Sequence, residues 1–367
     1  MKKSICLILS ILLLLSFTAC EEETVSSKTP LPGGAGNYQV GDFKYQVQED
    51  GTASVKYVGE DSNVVFPEEI SGYKVTGIQA SSCIYNKTLK MVTIPSSVNT
   101  IESDAFKGCS ALRTVVLNDG LTVIGERAFY GCSSLQSLNC PSTLISIGFS
   151  AFKDCVALTD VKLNKSLVEI GSSSFYGCTE IKNIVFPDSL KKIESEAFWG
   201  CTSLDDIKII KDTDYGQSVF NNCSSLTNIT IEEGVLKISS GCFFRTSVKE
   251  IVLPDSVTVI EGHAFLGCSQ LESVKLNNGL TEIGKYVFDQ CPKLTEIVIP
   301  STVTQVEEYS FAETNLKAVK FEGDAPQNYT DPDWPVKEQY KNYTVYYHKG
   351  AKGFTSPTWN GYKTEIW

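Results

Sequence analysis

Phenylalanine recurs in this chain at a nearly fixed interval. Phe106, Phe129, Phe152, Phe175 and Phe198 lie 23 residues apart, and Phe220, Phe243, Phe265, Phe288 and Phe311 continue at steps of 22, 23, 22, 23 and 23. A degenerate unit precedes them, with Ile78, Cys83 and Leu89 in the places of Ile101, Phe106 and Leu112. One unit reads Leu112-x-x-Val115-x-Leu117-Asn118-x-x-Leu121-x-x-Ile124-Gly125-x-x-Ala128-Phe129-x-x-Cys132. No single unit can bury so many large side chains, so units must stack with equivalent residues over one another. At about 4.8 Å per strand, ten intervals make a body roughly 48 Å long.

The alternation around Val115 and Leu117 predicts a short strand. Pro95, Pro141, Pro187, Pro254 and Pro300 follow that segment, where proline ends a strand without removing a ladder hydrogen bond. Gly125, Gly148, Gly171 and Gly284 follow the next apolar position and are read as tight bends. Each unit is then a strand, a turn and a return segment closed by Ala-Phe. The pattern Leu-x-x-Ile-x-Ile-Pro-x-x-Val-x-x-Ile-x-x-x-Ala-Phe-x-x-Cys resembles the BspA-like leucine-rich repeat of bacterial surface proteins, over Ile78 to Phe321. The resemblance implies a right-handed repeat solenoid with a parallel β-sheet on one face. It also implies, more loosely, adhesion or binding of host proteins and cells.

The ends differ from the repeats. Lys2 and Lys3 precede an apolar run from Ile5 to Leu15, too short to span a bilayer, and small residues follow. This is the pattern of a secretory signal over residues 1–19. Its end resembles the lipobox of bacterial lipoproteins, with Cys20 as the acylated residue and Phe17 where leucine is usual. An ordinary signal peptide with a chance cysteine is the alternative. Residues 20–37 read as a lipid-anchored flexible linker. Its Glu21-Glu22-Glu23 is similar to a lipoprotein surface-export signal, or is simply a solvated charge run. Residues 38–77 and 322–367 are expected to be β-rich caps. The first holds a hairpin at Asp50-Gly51, the second a strand at Tyr343-x-Val345-x-Tyr347.

Thirteen cysteines are many for a chain of 367 residues. Cys6 leaves with the signal and Cys20 takes lipid. Cys109, Cys132, Cys155, Cys178, Cys201, Cys223, Cys268 and Cys291 all sit three residues after a phenylalanine. Thr246 and Thr314 replace cysteine where the unit is one residue shorter, so the site closes a turn. Cys83, Cys140 and Cys242 fall at other inward positions. Export invites a disulfide reading and clustered thiols a metal reading. Parallel thiols in a row point the same way without converging, which favours a buried structural ladder.

Two surfaces are candidate binding sites. The residue between the two inward strand positions forms a row containing Lys162, Lys208 and Lys275, with Val185 and Val252 among them. Asp160 and Asp206 are expected to compensate Lys162 and Lys208. A mixed, flat face suits a protein partner, although an ordinary solvated sheet has the same composition. The residue after each phenylalanine forms a second row with Tyr130, Tyr176, Trp199 and Phe244, able to stack on sugars or anchor a protein, or else to shield the back of the solenoid.

Other chemistry is poorly supported. Lys211 to Val219 breaks the pattern, and its Asp212-x-Asp214-x-Gly216 lacks the remaining ligands of a calcium loop. A bulged loop is the simpler reading. His263 is read as a surface residue, and His348 has no nucleophile at recognisable spacing. Glu102, Glu194, Glu261 and Glu307 share one register and read as a solvated edge. A net charge of −11 argues against nucleic acid. Rows of like groups do not converge as catalysis requires, so no cofactor, metal or catalytic residue is assigned. The expectation is a monomeric, non-catalytic lipoprotein on the bacterial cell envelope that binds an extracellular protein or glycan and touches the membrane only through its lipid. A surface spacer is the alternative, and a glycan-active enzyme a more remote one.

Overall fold

The computed structural model describes residues 37–326 and 343–367. The signal, Cys20 and nearly all of the linker lie outside the described residues. Ala35–Trp367 forms one compact unit, and no helix occurs among its described residues.

The repeats form a parallel β-solenoid, and each regular rung contributes two strands where the sequence suggests one. The first is the expected alternating segment, such as Thr114–Leu117. The second is only two residues long, such as Val123–Ile124, yet it makes the longer ladder. Ile78, Ile101, Ile124, Ile147, Ile170 and Ile193 pair in parallel, each with the next. The ladder ends on Asp214–Tyr215 and a second begins at Lys237–Ile238. The expected strand face is instead a series of shorter sheets. Residues 181–187 are in no strand, although Ile184 and Phe186 remain buried.

Tyr215 corrects the reading of Lys211 to Val219 as a break. It stands opposite Ile193 in the ladder and is buried, and its hydroxyl accepts a hydrogen bond from the Ile210 N–H at 3.0 Å. A tyrosine can replace isoleucine because that N–H satisfies its polar end.

Ten phenylalanines form the spine. Each is less than 2% exposed, and successive rings stack with centroids from 5.1 Å apart, at Phe106 and Phe129, to 6.0 Å, at Phe288 and Phe311. Cys83, smaller than the residue whose place it takes, leaves the first ring uncovered. Phe66 from the N-terminal flank covers it, edge-on to Phe106 at 5.9 Å and 84°. In the same flank, Phe43–Val47 and Ala53–Tyr57 pair antiparallel around Asp50-Gly51. At the other end, Ala318–Phe321, Thr344–Tyr347 and Tyr362–Ile366 continue in parallel, and Thr358–Trp359 closes against the last of them.

The glycines at the second strand do not provide positive φ. A Cβ on Gly125, Gly148, Gly171 or Gly284 would lie 2.7 to 2.9 Å from backbone atoms of the preceding rung. They permit close stacking, and the reading as tight bends is replaced by that reason. The left-handed residues stand on either side of the phenylalanine. Asp104, Arg127, Ser150, Ser173 and Glu196, two before it, have φ from 51° to 60°. Gly108, Gly131, Asp154, Gly177 and Gly200, two after it, have φ from 61° to 71°.

Candidate functional site

The cysteine row lies directly beneath the phenylalanine corner. Its eight members are buried and free. Each thiol from Cys132 to Cys223 donates to a phenylalanine carbonyl of the preceding rung: Cys132 to Phe106 at 3.1 Å, Cys155 to Phe129 at 3.2 Å, Cys178 to Phe152 at 3.1 Å, Cys201 to Phe175 at 3.4 Å and Cys223 to Phe198 at 3.2 Å. Cys268 and Cys291 donate likewise to Phe243 and Phe265, and Cys109 donates to the carbonyl of Cys83. Apolar size alone therefore does not describe the position, because each thiol satisfies a buried carbonyl. Thr246 and Thr314 turn their hydroxyls to the phenylalanine of their own rung, Phe243 and Phe311. Burial raises these thiols, to about 12 for Cys109 and Cys223 and about 11 for Cys268, so none is a thiolate nucleophile at neutral pH.

On the strand face Lys162, Lys208 and Lys275 are exposed, as are Val185 at 81% and Val252 at 48%. Lys162 pairs with Asp160 at 3.0 Å, as the spacing suggests. Lys208 does not pair with Asp206. Its partner is Glu232 of the next rung, at 3.3 Å, and the same carboxylate accepts from the Lys211 N–H. Lys275 makes no ion pair among the described residues. Such exposed pairs contribute little to stability, so these cations can exchange partners at small expense.

The aromatic row is half-buried, and its ring faces are occupied. Lys107 lies over Tyr130 at 5.7 Å, Lys153 over Tyr176 at 4.0 Å and Arg245 over Phe244 at 5.0 Å, while Tyr176 stacks on Trp199 at 5.8 Å. An alternation of cations and rings leaves little open face for a sugar. Beyond Phe244 the row loses its aromatic character, and Asp289 is buried there. Aromatics resume three positions earlier in the rung, where His263 stacks on Tyr286 at 5.2 Å and Tyr286 on Tyr309 at 5.0 Å. The two positions share one surface, as the 3.2 Å contact between Asp104 and Lys107 demonstrates. All three aromatics sit at φ near 60°, where bulky side chains are rare. Reading a single register position along the chain misses this group. Reading positions three apart together finds it.

The acidic candidates separate by role. Glu102, Glu194 and Glu261 accept the N–H groups of Ala80, Ser172 and Ser240 at 2.9, 3.0 and 2.9 Å, so they cap the preceding rung and are not merely a solvated edge. Asp212 and Asp214 are exposed, and Asp214 pairs in the ladder opposite Lys192. Among the described residues no three His, Cys, Asp or Glu side chains group as a metal site. His348 stacks on Trp367 at 4.8 Å. Asp289 is unusual in that one carboxylate oxygen is buried without a hydrogen-bond partner. Burial first, and then Glu313, raises its pKa to about 6.

A family model described as a BspA type leucine rich repeat region matches residues 77–205, 146–265 and 236–327, in six copies. No curated protein matches the sequence. Among solved structures, the chain is similar to a leucine rich cell surface protein from Faecalibacterium prausnitzii, at 23% identity and a TM-score of 0.55, covering 93% of this chain and 99% of that one. A leucine-rich repeat protein from Bacteroides ovatus is 21% identical with a TM-score of 0.56, covering 85% and 100%. The pneumococcal vaccine antigen PcpA is 19% identical with a TM-score of 0.53, covering 86% and 94%. At these identities the likeness is one of fold.

Proposed function

Because the chain belongs to the BspA type leucine-rich repeat family, we propose that it is a non-catalytic interaction module, exported, held at the cell envelope by lipid on Cys20 and displayed outside the cell to bind an extracellular protein or glycan. The similar Faecalibacterium protein is described as a cell surface protein, which supports display. The observation that carries the reading is the strand face. Lys162, Val185 and Lys208 follow one another in consecutive rungs and are exposed, Val185 in the non-strand segment 181–187 between the strands of the two lysines. An apolar residue between cations is the composition of a protein contact surface. Rows of like groups suit repeated contacts along a partner better than they suit catalysis.

The test is a binding panel of host proteins, mucins and polysaccharides against the full chain in detergent. Val185→Ser with Lys208→Ala is expected to weaken a protein partner by about tenfold or more. A chain that binds nothing in the panel is a spacer, and turnover of a glycan makes it an enzyme. Acyl labelling with fractionation of Cys20→Ala tests the anchor, which should be lost with the cysteine.

A further inference from the structure

Where the rungs lose a residue, the surface opens. Two residues separate Cys268 from Leu271 in a regular unit, but one separates Thr246 from Val248 and one separates Thr314 from Leu316. Along this edge, where the chain enters the strand face, lie two hollows of about 540 and about 710 Å³ that share Pro292 and Glu313. Together they cross five rungs, a length of about 19 Å. Ser224, Ser247 and Ser269 hold the same register in three consecutive rungs, and Arg245, Gln290 and Glu313 line the hollows beside them. Arg245 and Glu313 make no ion pair among the described residues. Asp289, buried with an unpartnered carboxylate oxygen, is the residue before Gln290.

We propose that this groove binds an extended β-linked oligosaccharide, with about one sugar ring to each rung. The lining is mostly hydroxyl and amide, with the cations Arg245 and Lys317 and the carboxylate of Glu313 among them, which suits a polyhydroxylated chain better than a lipid. The spacing argues against a peptide. Side chains on one side of an extended peptide recur at about 6.7 Å, out of step with rungs at about 4.8 Å, whereas an extended pyranose chain advances by nearly one rung per ring. The groove is distinct from Lys162, Val185 and Lys208, and the inference takes from the preceding reading only that the protein is displayed where glycans occur.

Calorimetric titration of the full chain in detergent with cellohexaose, xylohexaose and mannohexaose tests it, with maltohexaose, a curved α-linked chain, as the comparison. At least one extended hexaose should bind about tenfold more tightly than its own disaccharide and than maltohexaose. Arg245→Ala with Gln290→Ala, both at exposed positions, should weaken it by about tenfold while thermal unfolding is unchanged. Failure of all three extended hexaoses to bind at millimolar concentration, or equal binding by the double variant, overturns the groove. Val185→Ser with Lys208→Ala must leave hexaose binding intact, so the groove and the strand face fail separately.

Discussion

The thiol of Cys132 donates to the carbonyl of Phe106 across 3.1 Å, tying each rung to the one before it through a group usually regarded as apolar. The same bond, repeated along the solenoid, joins the cysteine row to the aromatic spine. Its consequences for reactivity can be measured.

Burial pushes the thiols of Cys83, Cys109, Cys140 and Cys223 up to about 12. Below the ordinary thiol range both folded and unfolded chains keep these protons, and their contribution to stability is fully present. As pH rises from about 9 towards 12 the unfolded chain ionises first, so stability is lost at up to about 1.4 kcal/mol per pH unit for each thiol. The melting temperature should hold to about pH 8.5 and then fall steeply. Iodoacetamide at neutral pH should leave Cys155, Cys178 and Cys201 unmodified in the native protein. Denaturation without reductant should release all eleven described thiols, and a substantially smaller number would mean that disulfides form.

Asp289 follows the same sign at a lower pH. Its pKa is raised to about 6 by burial and by Glu313, so its protonated form suits the fold and its charged form opposes it. The contribution is fully present below about pH 4 and is lost as pH rises through about 6. Asp289→Asn should therefore stabilise the protein at pH 7.5 by about 1–3 kcal/mol and have little effect at pH 4. Equal effects at both pH values in denaturant titrations would exclude this account.

Gly148 and Gly131 are both glycines of the repeat, but for different reasons. A Cβ on Gly148 meets backbone of the preceding rung at 2.9 Å, whereas one on Gly131 meets only the Gly108 Cα at 3.8 Å and its difficulty is a φ of +68°. Gly148→Ala must push rungs apart and should cost about 2–4 kcal/mol. Gly131→Ala should cost about 1 kcal/mol. Chemical denaturation of the two variants should give that order.

Phe66 covers the end of the aromatic spine from outside the repeats. Phe66→Ala should cost about 3–5 kcal/mol and expose the face of Phe106. Hydrogen exchange should quicken first in the N-terminal flank and the rung of Phe106, while the rung of Phe288 keeps its protection. Uniform loss of protection would instead indicate that the whole solenoid opens as one unit.

Periodicity made the solenoid, its register and the inward rows legible, because stacking demands the same residue at the same place. The second ladder was not, since a two-residue strand such as Val123–Ile124 has no alternation to read. The left-handed corner was hidden for a related reason. Asp104, Arg127 and Ser150 share a backbone conformation but no side-chain chemistry. Phe66 lies outside the repeat, and only its partner's missing neighbour, marked by Cys83, hints at its place. In the candidate sites, the exposed lysines followed from alternation. Covering of the rings by Lys107 and Lys153 depended on contacts between rungs, which no single unit contains. The shortened turns at Thr246 and Thr314 were visible as deletions, yet the hollows they leave are a property of neighbouring rungs together.

The spine of Phe106 to Phe311 also fixes how such a protein can change in length. Every interior ring meets an equivalent ring above and below, so a whole unit can be gained or lost by recombination within the coding repeat without creating a new kind of contact. Each such event alters the length of the solenoid by about 4.8 Å while Phe66 and the C-terminal strands still close the ends. Length is thus inherited in whole steps, and chains carrying different numbers of units would differ by whole multiples of one rung.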